Sequence, residues 1–441
     1  PAELFRHAKN KRTKYARLPC QNIISRRKVK VNPFLADFLL RCSAQAEGTA
    51  ARIYGSTAEH RWAGAVLDKY AEKCYTLLTI CEVCSMNVTY NFSAGPATFV
   101  PGVVADICDA LTGGRAETEY GSDAYRDLYT GTADELRALV GIPQNYRIIF
   151  MPGGSSIQYS AVPMNLLTPR RCADYVVSGR LSKNACLEAK KYGDIAIAAS
   201  SAGANPVFST VPETKRADFR PDADYVHICF NNPVYGTKFH YIPDVGNLPL
   251  VADMTACLLS EPVDVSKFGV IYADGMTNIG APGMSVVIIR EDLLGNARAD
   301  TPAQMNYKLL SEGEGGCPPA LLLMMAKRVF ETISSVGGLE EMKRRNERKA
   351  CLLYDYFDTM SYYTAPIDRK CRSMTNIVFV TGDAALDRKF VTEARECGLM
   401  NLTGDPSVGG MRASLYNSMP YEGVEALLSF MRKFSMENPK F

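Results

Sequence analysis

The stretch Phe268-Gly269-Val270-Ile271-Tyr272-Ala273 and, eleven residues further on, Met284-Ser285-Val286-Val287-Ile288-Ile289-Arg290 decide the fold class. Both are short apolar runs bounded by turn residues, which predicts strands over 268–273 and 284–290. Working outward, further strands are expected at 147–151, 174–178, 225–230 and 249–253, with helical stretches between several of them. That alternation predicts an α/β architecture, a mostly parallel sheet with helices on its faces. Toward the C-terminus the pattern changes. A helix-rich stretch at 319–359 precedes a strand at 375–380, a helix at 386–397, a strand at 410–416 and a final helix at 421–435. This tail reads as a smaller α+β domain. The expected division is 1–85, 86–340 and 341–441.

The first 85 residues read differently. All 17 methionines lie at or after Met86. Residues 1–85 carry 15 lysines and arginines against 7 acids, whereas 86–441 carry 35 against 40. Ten of the cations fall within 1–32: Arg6, Lys9, Lys11, Arg12, Lys14, Arg17, Arg26, Arg27, Lys28 and Lys30. Such a segment repels itself and cannot collapse alone. Amphipathic helices are expected near 34–47 and 58–82, each needing a surface for its apolar face. The arm has three readings: a mitochondrial targeting segment, a nucleic-acid arm that neutralises phosphates, or translated upstream sequence.

Composition excludes some classes. The chain has 441 residues, with 47% hydrophobic and 22% charged, the balance of a globular protein. No run of about 18 apolar residues predicts a membrane span. The 14 cysteines are scattered. Cys81 and Cys84 form a close pair, but no second pair or histidine cluster completes a zinc site, so no metal is expected.

Several stretches carry a resemblance. They are Asn91-Phe92-Ser93-Ala94-Gly95-Pro96-Ala97, Gly153-Gly154 with Gln158, 161–167 (AVPMNLL), 262–266 (PVDVS), 268–273, Asn278-Ile279-Gly280, 291–295 (EDLLG) and 409–417 (GGMRASLYN). Together they resemble phosphoserine aminotransferase, a PLP-dependent family of the aspartate-aminotransferase fold, over nearly all of 86–441. The resemblance implies a large PLP-transferase domain, a small C-terminal domain and a homodimer. It also implies a lysine that forms the Schiff base with the cofactor, immediately before Asn-Ile-Gly.

Here that position is Thr277, and a hydroxyl cannot form a Schiff base. Other positions depart from the family pattern as well. Met276 stands for a glutamine near the cofactor oxygen, Leu181 for the tryptophan stacked on the ring, and Pro233 for a threonine on the ring oxygen. Gly316-Cys317 stand for an Asn-Thr pair reaching the cofactor phosphate from the partner subunit. Tyr120-Gly121 and Asp405-Pro406 stand for two His-Arg pairs, of which the first grips the substrate phosphate. The resemblance leaves Asp253 for the pyridine nitrogen, Arg412 for the substrate carboxylate, and Gly153, Gly154 and Ser155 as part of the phosphate loop. Lys183 and Lys238 do not follow the strand that carries the Schiff-base position.

Because each replacement removes a cofactor or phosphosubstrate contact, the sequence predicts an inactive body in which Gly154, Ser155, Asp253 and Arg412 are vestigial. No cofactor is expected. The expected role is a structural subunit of a mitochondrial ribosome or related ribonucleoprotein, with RNA on the basic arm and neighbouring proteins as partners. The alternative is an active or divergent phosphoserine aminotransferase of serine biosynthesis, PLP-dependent, homodimeric and cytoplasmic. It would convert 3-phosphohydroxypyruvate and glutamate to phosphoserine and 2-oxoglutarate.

Overall fold

A parallel strand pair needs a crossover of a dozen or more residues. The connection 275–283 is shorter than that, so the two strands that flank it must pair antiparallel. They do: in the computed structural model, which describes residues 89–168 and 171–440, Ser285 lies opposite Asp274 and Val287 opposite Tyr272. The strands are β1 (Tyr90–Asn91), β2 (Tyr146–Pro152), β3 (Cys172–Val177), β4 (Asp194–Ser200), β5 (Val226–Cys229), β6 (Asn231–Asn232), β7 (Thr237–Lys238), β8 (Leu250–Asp253), β9 (Val270–Asp274), β10 (Met284–Arg290), β11 (Asn376–Phe379), β12 (Leu399–Met400) and β13 (Met411–Ser414). The helices are α1 (Pro101–Thr112), α2 (Asp123–Val140), α3 (Gln158–Leu166), α4 (Arg180–Ala189), α5 (Tyr307–Ser311), α6 (Ala320–Ser335), α7 (Gly338–Thr359), α8 (Ala384–Glu396) and α9 (Tyr421–Glu437).

The large sheet has the order β2-β10-β9-β8-β5-β3-β4. The pairs among β9, β8, β5, β3 and β4 are parallel, and β10 runs antiparallel to both β9 and β2. Every residue of β3, β5, β8 and β9 is buried, as expected for strands covered on both faces. Two apolar clusters hold this layer. One includes Leu136, Ile228, Ile271, Val286, Leu323 and Phe330, and the other Val162, Tyr175, Val251 and Val287.

The C-terminal elements build a separate core. β11 and β13 pair antiparallel, and β1 runs parallel to β12. Phe92, Leu353, Phe379, Phe390, Leu427 and Phe434 fill the space between them and α7, α8 and α9. The expected helix at 319–359 is two helices. The break falls at Gly337, whose φ of 115° favours glycine. α8 starts two residues earlier than expected because the Asp383 side chain accepts from the amides of Ala385 and Leu386.

β4 was not expected. Its sequence, Asp-Ile-Ala-Ile-Ala-Ala-Ser, is alanine-rich and partly exposed, and it lies at the sheet edge with a single neighbour, β3. Alanine has low strand preference, so the run carries little signal of its own. Among the described residues no helix is long and apolar enough to cross a membrane, and no cluster of side chains could hold a metal ion. The basic arm, the two amphipathic helices, and Cys81 with Cys84 lie outside the described residues.

Candidate active site

In an open α/β sheet, ligands bind beyond the carboxyl ends of the parallel strands. Three of those ends carry the candidate residues here. β8 ends in Asp253, β9 ends in Asp274, and β2 runs into Gly153-Gly154-Ser155. The small domain adds Arg412 from β13.

Asp253 is 2% exposed. Its Oδ1 accepts from the Thr255 amide at 3.0 Å, and among the described residues no cation pairs with it. Burial pushes its carboxyl up to about 6. The Thr255 bonds pull it down, and the Asp274 charge pushes it up again. A buried acid held this way gains from a cationic partner such as a protonated pyridine nitrogen.

Arg412 is the second unengaged group. Its Nη1 reaches the Pro233 carbonyl at 3.4 Å, and its Nε is buried without an acceptor. Burial pulls the guanidinium below its usual range, and nearby Arg180 adds to that shift, while Tyr416 and Asp405 oppose it. Asp405 forms a bidentate pair with Arg180 at 2.9 and 2.6 Å, and among the described residues no ion pair joins it to Arg412. Arg412 is therefore not locked in a structural ion pair.

The other positions are satisfied within the protein. Asp405 is buried and also accepts from the Ser407 amide and hydroxyl. Burial pushes its carboxyl up, but the Ser407 bonds and Arg180 hold it below the usual range. Arg180 opens α4, and the half-buried Leu181 follows it. Thr277 is 6% exposed and donates its hydroxyl to the Thr255 carbonyl at 2.5 Å. Met276 is pinned beside it: its carbonyl accepts from the Ala97 amide at 2.8 Å. Thr277 also borders a cavity of about 170 Å³ with Phe99, Asn278 and Asn417, which neither Asp253, Ser155 nor Arg412 lines.

The loop Gly153–Ser155 carries an occupant. Asp274 Oδ2 accepts from the Ser155 amide at 2.8 Å, and Asp274 Oδ1 from the Met276 amide at 3.0 Å. A Cβ at Gly154 would lie 2.7 Å from Asp274 Oδ2, so glycine is what admits the carboxylate. Sequence reading missed Asp274. The informative stretch was read as ending at Ala273, and the spacing of a lone acid after a strand says nothing of the loop it will meet.

Among the described residues no lysine is hydrogen-bonded or ion-paired to Asp253, Ser155 or Arg412. Lys183 is exposed on α4, and Lys238 is buried against Glu261. Lys349 is buried with its ammonium on the carbonyls of Leu415, Tyr416 and Met419. Tyr120 packs edge-on against Tyr125, whose hydroxyl donates to the Pro318 carbonyl and whose burial and nearness to Cys317 raise its pKa. Tyr120 and Cys317 thus come to a common neighbour, and no hydrogen bond or ring contact joins them to Asp253 or Arg412 among the described residues. Gly121 and Gly316 offer only backbone there.

The layered sheet and the placement of these residues at its carboxyl end define the fold of the PLP-dependent aminotransferases. Residues 89–427 match the Aminotransferase class-V family model. The chain is 41% identical over 355 residues to phosphoserine aminotransferase of Laribacter hongkongensis, covering 78% of this chain and 98% of that protein. A solved structure entitled for radiation damage of the Schiff base in phosphoserine aminotransferase superimposes with a TM-score of 0.76 at 32% identity, covering 80% of this chain and 100% of that one. PLP-bound phosphoserine aminotransferase from Trichomonas vaginalis superimposes with a TM-score of 0.72 at 32% identity, covering 78% and 100%. The chain belongs to the phosphoserine aminotransferase family.

These likenesses correct two expectations. The expected absence of a cofactor is overturned, because the family and its PLP-bound member point to PLP. The ribosomal, RNA-binding role is overturned too, since the full length of enzyme relatives maps onto this chain. The error was to let the loss of several contacts stand for the loss of the whole site. A basic arm is compatible with many polyanions or none, so it could not decide the matter.

The residues meet PLP unevenly. The ring-nitrogen end fits, since Asp253 is buried without a cation. The aldehyde end does not, since residue 277 has no amine. The phosphate end meets the Asp274 carboxylate on the Ser155 amide.

Proposed function

We propose that this chain is a divergent phosphoserine aminotransferase, moving an amino group between an amino acid and a 2-oxo acid with a pyridoxal-type cofactor. The family reaction converts 3-phosphohydroxypyruvate and glutamate to phosphoserine and 2-oxoglutarate. The observation that carries this reading is the pair Asp253 and Arg412. Among the described residues one is a buried acid without a cation and the other a half-buried cation without an anion, both in a chain that aligns with whole enzymes. A structural protein would gain stability by pairing or replacing such groups.

The chain's own residues divide the work. Asp253 would hold a protonated ring nitrogen by charge. Arg412 orients the substrate carboxylate, for which its guanidinium offers a planar fork. Thr277 forms no covalent link and keeps its hydroxyl on the Thr255 carbonyl. The cofactor supplies the electron sink.

The experiment supplies purified chain with glutamate, 3-phosphohydroxypyruvate and either PLP or pyridoxal, and measures phosphoserine by mass spectrometry. Product should form above a boiled control and fall at least tenfold in Arg412→Ala. No product above that control, or product that is unchanged in Arg412→Ala, sinks the reading.

A further inference from the structure

The phosphate loop of this cleft is already filled by the protein. The Ser155 amide opens the turn that leads into α3, a position where backbone N–H groups favour an anion. The anion found there is Asp274, 5% exposed, at 2.8 Å from that amide. Its other oxygen is held by the Met276 amide, and its own amide meets Thr255 Oγ1 at 3.2 Å. The carboxylate is thus fixed from two sides, and Gly154 leaves it the space. A second buried acid, Asp253, stands in the same cleft and lacks a cation.

We infer that Asp274 is a built-in anion of the phosphate cradle, and that this cleft prefers a pyridine ring with an uncharged hydroxymethyl arm, as in pyridoxamine or pyridoxal, over its 5′-phosphate ester. A phosphate entering the cradle would have to displace Asp274 from the Ser155 amide or sit against its charge. The hydroxymethyl group of the unphosphorylated ring can instead donate to that carboxylate. Asp253 attracts the protonated ring in either case, so the two acids act on different ends of one ligand. This rests on the proposed seat of a pyridoxal-type ring on Asp253 and deepens it by naming the form that fits.

The test titrates the full chain with pyridoxamine and with pyridoxamine 5′-phosphate, read by ligand fluorescence and checked by equilibrium dialysis. These amines do not react with surface lysines. Wild type should bind pyridoxamine at least as tightly as the phosphate ester. Asp274→Asn keeps an acceptor for the Ser155 amide and removes the charge, so it should shift the affinity ratio at least tenfold toward the ester. Asp274→Ala should shift it in the same direction if it folds. Tenfold tighter binding of the ester by wild type, with the ratio unmoved in Asp274→Asn, overturns the inference. Binding of neither ligand by wild type instead overturns the seat on Asp253. Binding that survives Asp253→Ala does the same.

Discussion

The two sides of the cleft differ in how their polar groups are spent. On one side Asp253 and Arg412 are held in place, and among the described residues neither is paired with an opposite charge. On the other, Asp274 caps the Ser155 amide, Arg180 grips Asp405, and Thr277 bonds the Thr255 carbonyl. Pro233, which departs from the family pattern, lies against Arg412 on the first side, while Thr277 and Asp405, which also depart from it, lie on the second. Its residues have found partners in one another, so the departures leave few stranded buried groups. That is how a binding surface can change its ligand chemistry while the framework beneath it stays intact. A stranded buried group costs about 1–3 kcal/mol, so mutual satisfaction is the condition for such change.

The framework beneath both sides should be the most costly to disturb. Phe390 is fully buried among Tyr363, Phe379, Phe430 and Phe434. Phe390→Ala should lower stability by about 3–5 kcal/mol, read by denaturant unfolding. A loss under 1 kcal/mol would mean that the small domain does not pack as described.

The open side should reveal itself through pH. The carboxyl of Asp253 titrates near 6 in the folded chain and near 3.9 unfolded. Folded protein then holds a proton that unfolded chain releases, so stability falls as pH rises from about 4 to about 6. Asp253→Asn removes that slope. It should match wild type below pH 4 and exceed it by about 2–3 kcal/mol at pH 8, as the two-unit shift implies. Equal melting curves at pH 8 would show that Asp253 is already paired with a cation.

Breaking the closed side should have a smaller effect on stability and a clearer one on binding. The Arg180 side chain is 44% exposed, so its pair with Asp405 is screened by water and worth about 1 kcal/mol or less. Asp405→Ala frees the guanidinium. Affinity for phosphoserine, measured by calorimetry, should rise several-fold, and the gain should vanish in the Arg180→Ala, Asp405→Ala double variant. The smallest effect on binding belongs to Thr277→Val, which removes one hydroxyl bond. It should cost about 1 kcal/mol and leave pyridoxamine binding unchanged. A strong loss of binding would place Thr277 on the ligand.

Most of the fold was legible in the sequence, and less of the site. The runs 147–151, 249–253 and 284–290 are each apolar enough to announce a buried strand, and all three are found. The alanine-rich edge strand was not read, because its pairing rather than its side chains makes it a strand. For the site, residue identities were readable by likeness: Thr277 without an amine, Asp253 and Arg412 retained. Whether Arg412 has an acid partner was not legible: none pairs with it among the described residues, and its neighbour Asp405 is bound by Arg180.

The sequence by itself determined the layering of this protein and which side chains its cleft can contain. Hydrophobic period, short connections and caps act over a few residues and survive in a one-dimensional reading. Only the tertiary structure decided which polar groups are free. Asp274 meets an amide 119 positions away, and Arg180 meets an acid 225 positions away. The strand order brings those groups together at one end of the sheet. There charge and hydrogen bonding act over a few ångströms of space, without regard to distance along the chain.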